Sequence, residues 1–267
     1  MKSVTAKAGL IIVAFLVLVA IFAPHLAPQD PGAYNLDLAF AGPSRQHWLG
    51  NDADGRDMLS RMIMGARVSL GISVGVVGIT LIIGSLMGIV AGWCGGVVDR
   101  AFSFVCDVFL AFPGFLFAIA VAAFLGPSVV NVVIILCIRG WVTFARLTRG
   151  QTLSLKEREF VQAGRSIGVR TPRILVRHLL PNMIGPIVVN ASFGMAGVIM
   201  IESSLSFLGL GVPVDVPSWG GMIDQGTQFL LVAPHLSIIP GIAIMLVVLG
   251  FNLLGDGLRD MLAPRGR

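Results

Sequence analysis

Residues 146–181 read RLTRGQTLSLKEREFVQAGRSIGVRTPRILVRHLLP, the one polar island in the second half of a strongly apolar chain. The stretch carries eight Lys/Arg and two glutamates, Glu157 and Glu159, between long apolar runs. Ser154 followed by Glu157 fits a capping box and predicts a helix beginning near Leu155. Gly168 stands where a C′ glycine would end it. Thr171-Pro172 then predicts a second helix, with Thr as cap and Pro at the first helical position, closed by Pro181. The result is two short helices with a tight elbow. Ala163, Gly164 and Gly168 are small, so a partner's surface could approach the backbone closely there. The stretch reads as a docking knob.

Working outward, the chain has 267 residues, 55% hydrophobic and 12% charged, with mean hydropathy +0.88. Soluble domains carry charge on about a quarter of their residues. The apolar blocks here are long enough for a hydrocarbon layer of ~30 Å, which needs ~20 helical residues. The expected fold class is an all-α polytopic membrane protein with six transmembrane helices, near 8–23, within 68–98, and near 101–125, 129–147, 183–204 and 232–254. Lys2 and Lys7 before the first run resemble a signal peptide, but the spans that follow favour an uncleaved first helix, stopped by Pro24.

Between the first two spans, Met58, Leu59, Met62, Ile63 and Ala66 repeat at helical spacing, while Arg56, Asp57, Ser60, Arg61 and Arg67 take the other side. That pattern predicts a short amphipathic helix on the membrane surface. Two units follow: 1–67, the first span plus an extracytoplasmic segment, and 68–267, a five-helix core containing the 146–181 loop. Glycines 71, 75, 84, 88 and 92 are set at four-residue steps suited to close helix packing.

The charge distribution orients the chain. The amino end, the 93–100 turn, the 146–181 loop and the tail hold fourteen Lys/Arg (2, 1, 8 and 3). Segments 24–67 and 205–231 hold four, and Arg139 alone sits inside a span. By the positive-inside rule the polar island and both termini are cytoplasmic. The same rule accounts for the sequence pI near 9.7 without nucleic acid, because the basic residues flank apolar spans instead of lining a groove with aromatics.

The spacing within 146–181 resembles the cytoplasmic coupling loop of bacterial ABC-importer permeases, whose pattern is Glu-Ala-Ala, three residues, Gly, nine residues, Ile, one residue, Leu-Pro. Here it reads Gln162-Ala163-Gly164, Gly168, His178 and Leu180-Pro181, with Gln162, Gly164 and His178 departing from the pattern. The longer form REFVQAGRSIG…RHLLPN is similar to the dipeptide/oligopeptide/nickel branch, of the second-permease type. So are HWLGNDADGRDMLSRMIMGARVSL, with Asn51 where Thr is usual, SLSFLGLGVPVDVPSWGGMIDQG, and the tail GDGLRDMLAPR, with Ala263 where Asp is usual.

The resemblance implies a type I ABC importer permease fold and a heteromeric importer in the bacterial inner membrane. This subunit would pair with a second permease, one or two ATPase subunits and an extracytoplasmic substrate-binding protein. Glu159, Gln162, Ala163, Gly164, Ser166 and Gly168 would couple to an ATPase whose movement swings the adjoining spans. Peptides are the expected substrates; nickel or another small solute is the alternative.

No catalytic apparatus is visible, and no Gly-x-x-x-x-Gly-Lys-Ser/Thr motif for binding ATP, so no cofactor is expected in this chain itself. Cys94, Cys106 and Cys137 have no paired spacing. Three charges at membrane depth stand out. Arg139 and Asp107 fall about 12 and 9 Å in from the expected cytoplasmic ends of their spans, at ~1.5 Å per residue. Intramembrane charges pair or face water, so these two are read either as a structural ion pair or with Arg139 on the translocation path, meeting a substrate carboxylate. Glu202, near the outer end of the fifth span, is a candidate outer gate or an anchor at the water interface. Readings of other classes are an ion-driven secondary transporter, which would need repeats or broken helices, a membrane-embedded enzyme, which would need clustered reactive groups, and an anchor that recruits a soluble partner.

Overall fold

The computed structural model describes residues 4–262, and no strand occurs among them. Lys2, Ala263, Arg265 and Arg267, used above for orientation and resemblance, lie outside the described residues. In chain order the helices are α1 (Val4–Leu26), α2 (Met58–Cys94), α3 (Gly96–Ala111), α4 (Gly114–Leu125), α5 (Val129–Leu155), α6 (Glu159–Ser166), α7 (Thr171–Ile174), α8 (Leu180–Phe207), α9 (Trp219–Thr227) and α10 (His235–Leu262). A π turn, Leu175–Leu179, joins α7 to α8. Five rods are long and apolar enough to cross a membrane: α1, α2, α5, the continuous Thr171–Phe207 rod and α10. The α3–α4 pair is a sixth, bent by 78°.

That bend replaces the straight helix expected over 101–125. Pro113 has no N–H to continue the ladder, and a residue before proline is driven out of the helical region. Phe112 accordingly lies at φ −93°, ψ 138°.

At Pro181 the expected stop does not occur. Proline leaves a carbonyl one turn back without its donor, and the π turn absorbs the mismatch, with Leu180 N–H donating to Leu175 C=O. The Ser154 capping box does not form either. Ser154 lies in the last turn of α5, and α6 starts at Glu159 after Arg158, which makes no side-chain cap bond. Nothing in 146–155 breaks the helix. Thr148 and Thr152, both buried, donate back to the carbonyls of Phe144 and Thr148.

The amphipathic helix expected at 58–67 is instead the start of α2, a rod of 37 residues, or about 56 Å at 1.5 Å per residue. That exceeds the ~30 Å hydrocarbon layer, so the rod is longer than a straight crossing needs. Most of the expected polar side is not solvated at the head of this rod: Arg56, Asp57, Ser60 and Arg61 are all buried, and Arg67 is exposed. The cover is α9, whose Trp219 Nε1 donates to Met62 C=O at 3.1 Å. Gln225 Oε1 accepts from Arg56 and Arg61 at 3.2 and 3.1 Å, and Asp52 holds Arg56 at 2.8 Å. The 27–57 loop, α9 and the head of α2 thereby form one polar knot.

Asp57 caps α2 within it, accepting from Ser60 N–H at 2.8 Å and from the Ser60 hydroxyl at 2.7 Å. Asp57→Ala is expected to cost about 1–2 kcal/mol, read as a lower unfolding midpoint of the purified protein in detergent, with Asp57→Asn recovering most of it.

The most extensive seam joins α2 to α5. A Cβ at Gly84, Gly88 or Gly92 would meet the backbone carbonyl of Trp141, Ala145 or Arg149 respectively. Both rows advance by four residues, as parallel helices in backbone contact require. Gly71 and Gly75, read with them in the sequence, face open space. At the other side of the bundle, α1 lies on α10, where a Cβ at Gly9 would meet the Leu253–Leu254 backbone and one at Gly257 would meet Ala6. The division expected at 67/68 therefore falls inside α2, and α1 is packed into the same body.

Candidate functional site

The α5–α8 connection protrudes from the end of the bundle opposite the polar knot. Its helix α6 is pinned by Val161, fully buried among Ile89, Ile174, Leu179 and Met183. Gly168 ends it at φ +78°, a left-handed conformation that glycine adopts without strain. Gly168 N–H donates to Arg165 C=O and Val169 N–H to Gly164 C=O, both at 3.0 Å, the two bonds of a Schellman motif. Glu159, Gln162, Ala163, Ser166 and Gly168 are exposed. Gly164, read as part of the outward surface, is buried. The outward side also carries apolar groups missed in the sequence: Ile167 is 80% and Val176 65% exposed. The elbow is braced from behind. The Arg165 guanidinium lies 4.1 Å from the Trp93 ring centre, and Lys156 Nζ donates to Gly92 C=O at 3.1 Å.

The expected Asp107–Arg139 pair does not form. Asp107 pairs with Arg146, and Asp99 with Arg149, so two ion pairs tie α3 to α5. The reason is register. With α3 starting at Gly96 and α5 ending at Leu155, Asp107 and Arg146 lie about 16 and 14 Å from the elbow-side ends, but Arg139 about 24 Å. Arg139 reaches instead into the α3–α4 bend, where its Nε–H donates to Phe109 C=O at 3.2 Å. Pro113 cannot supply the i+4 donor that this carbonyl would otherwise receive. Gly114 leaves room for the guanidinium, since a Cβ there would lie 2.8 Å from Arg139 Cζ.

Arg139 also lines a cavity of about 500 Å³ between α2, the α3–α4 bend, α5 and α8. Thr80, Thr143 and Asn190 are its other polar side chains, and Phe115, Phe144 and Phe193 contribute aromatic wall. The volume lies within the ~300–1,000 Å³ of small-molecule sites.

Glu202 is fully buried, not at the water interface. Its Oε1 accepts from the Ser206 hydroxyl at 2.9 Å, and Ser206 Oγ accepts from Val212 N–H at 3.1 Å. The carboxylate thus holds the loop that folds back over the end of α8.

Five long helices, one broken span and a protruding elbow between α5 and α8 define a transport permease of the membrane. The chain belongs to the family of binding-protein-dependent transport system inner membrane components, whose model matches residues 84–267. Residues 1–43 match the N-terminal transmembrane domain of oligopeptide transport permease C. Within the ABC-importer permeases this places it in the dipeptide/oligopeptide/nickel branch.

The chain is 43% identical to the dipeptide transport system permease protein DppC of Alkalihalophilus pseudofirmus, over 99% of this chain and 87% of that one. It is 44% identical to the glutathione transport system permease protein GsiD of Pectobacterium atrosepticum, over 99% and 88%. Its identity to GsiD of Shigella dysenteriae is 46%, over 97% and 86%. A chain of the inward-facing MetNI methionine ABC transporter superposes with a TM-score of 0.62 at 15% identity, covering 76% of this chain and 97% of that one. The shared fold is the type I ABC importer permease fold.

Proposed function

We propose that this chain forms half of the translocation path of a peptide importer and transmits ATP-driven motion through the α6 elbow. The observation that carries the reading is the elbow itself: a short helix pinned by Val161, with Ile167 and Val176 left outward and largely uncovered by the described residues. An ATPase subunit docked there, one on each of two permeases, supplies the motor, and ATP is bound by those partners. A second permease completes the wall of the Arg139 cavity, and a substrate-binding protein delivers the passenger at the polar-knot end. The fourteen-to-four split of Lys/Arg supports an elbow and both termini in the cytoplasm of a bacterial cell, with the chain in the inner membrane. Peptides are the favoured passengers because relatives of 43–46% identity over nearly the whole chain carry dipeptide and glutathione transport names.

The test is reconstitution in vesicles. The full complex with its binding protein is expected to accumulate radiolabelled dialanine only when ATP is supplied on the elbow side. This chain alone is expected to move none. Uptake by the purified chain driven by an ion gradient would overturn the proposal.

A further inference from the structure

Of the arginines on α5, Arg146 and Arg149 each hold an aspartate, but Arg139, the one inside the expected span, holds a carbonyl. A carbonyl oxygen engages one N–H of a guanidinium that has five and leaves its full positive charge unmatched. Such a charge at membrane depth is costly unless it meets water or an anion. The cavity it lines supplies no acid, since its other polar side chains are two threonines and one asparagine. One of these is already engaged: Thr80 Oγ1 donates to Val76 C=O at 2.7 Å. Bidentate pairing with a carboxylate is the interaction that the planar guanidinium is shaped for, and the phenylalanine walls suit the apolar remainder of the same molecule.

We infer that Arg139 is the cavity's carboxylate-binding residue, receiving the C-terminal carboxylate of a passing peptide while its Nε–H keeps the α3–α4 bend capped at Phe109. The inference rests on the peptide reading above. It adds a particular contact and a link between occupancy and the bend, because the group that holds the carboxylate also satisfies the carbonyl that Pro113 orphans.

The experiment uses the wild-type complex in detergent and an arginine-directed reagent, phenylglyoxal, with modification at each arginine followed by mass spectrometry. Dialanine at saturating concentration is expected to slow modification of Arg139 at least threefold, and dialanine C-terminal amide to leave it unchanged. Arg146, half exposed and paired with Asp107, serves as the internal control and should respond to neither. Equal Arg139 rates with and without dialanine would overturn the inference, as would equal protection by acid and amide.

A second arm uses Arg139→Gln, whose amide can still donate to Phe109 C=O but carries no charge. Dialanine uptake by the reconstituted variant is expected to fall at least tenfold with normal assembly, and Arg139→Lys to recover part of it. Wild-type uptake by Arg139→Gln would overturn the contact. Dialanine uptake by the wild-type complex without protection of Arg139 would sink this inference and leave the importer reading standing. No ATP-dependent uptake at all would sink that reading.

Discussion

A Gly88→Leu chain is expected to reach the membrane as folded protein at less than a fifth of the wild-type yield. The Cβ at this position would meet Ala145 C=O and the Thr148 side chain, neither the free end of a flexible group. Thr148 is locked between its own helix and α2, donating to Phe144 C=O at 2.9 Å and reaching Ser85 C=O at 3.3 Å. Overpacking commonly costs 1–3 kcal/mol where side chains can give way. Here backbone must move, so more than about 3 kcal/mol is expected.

The strain also spreads. Gly84 and Gly92 keep the same spacing on either side, so parting the helices at Gly88 loses contact along the whole seam. Without a hydrophobic drive between helices in lipid, that close contact is much of what holds them together. Gly71→Leu is the control. It lies on the same helix but faces open space, and its yield is expected to stay within twofold of wild type. Size-exclusion profiles of a fluorescent fusion in detergent give both numbers. Equal yields for the two variants would mean that the seam does not hold the bundle.

Much of this architecture could be read before any coordinates, because lipid imposes simple rules. Apolar length, glycine punctuation and charge asymmetry located the spans and the elbow, and Gly168 ends α6 as its position after a helical stretch demands. What the sequence leaves hidden divides into partners distant along the chain and local helix ends. Helical periodicity sets the charges at the head of α2 on one side of a surface helix and cannot reveal that Trp219 and Gln225 return to cover Arg56 and Arg61. Asp107 meets Arg146 and not Arg139 because α5 runs on to Leu155, eight residues past the expected end at 147, which moves the depth scale by about two turns. The break at Pro113 was legible in principle, since a proline with a displaced residue before it is a known interruption. The continuation through Pro181 was not, because it depends on a π turn that no composition rule locates. Glu202 looked interfacial because nothing in the sequence shows Leu208–Ser218 folding back over it.

The elbow gives the sharpest functional expectation. Gly168→Trp and Ile167→Asp should each lower reconstituted uptake at least tenfold while the permease pair assembles normally. Their physical origins differ. At Gly168 the backbone is left-handed, which costs an L-residue roughly 1–2 kcal/mol, but no atom lies within 4 Å of where its Cβ would stand. A tryptophan there projects outward and obstructs whatever docks. At Ile167 the backbone is unstrained, with φ −89°, and the side chain is 80% exposed. A carboxylate there disturbs nothing within the chain and adds charge to an apolar contact, where desolvating it is costly.

Agreement between the two variants would therefore locate the defect at the docking surface and not in the fold. Three readings separate the stages: co-purification of the ATPase, ATP hydrolysis by the assembled complex, and uptake. Loss of co-purification would mark the elbow as a binding surface. Retained binding and hydrolysis with lost uptake would mark it as the transmitting element, with motion no longer reaching α5 and α8. Wild-type uptake by both variants would remove the elbow from the mechanism, since Ile167 and Gly168 occupy its tip and no docked partner could avoid both.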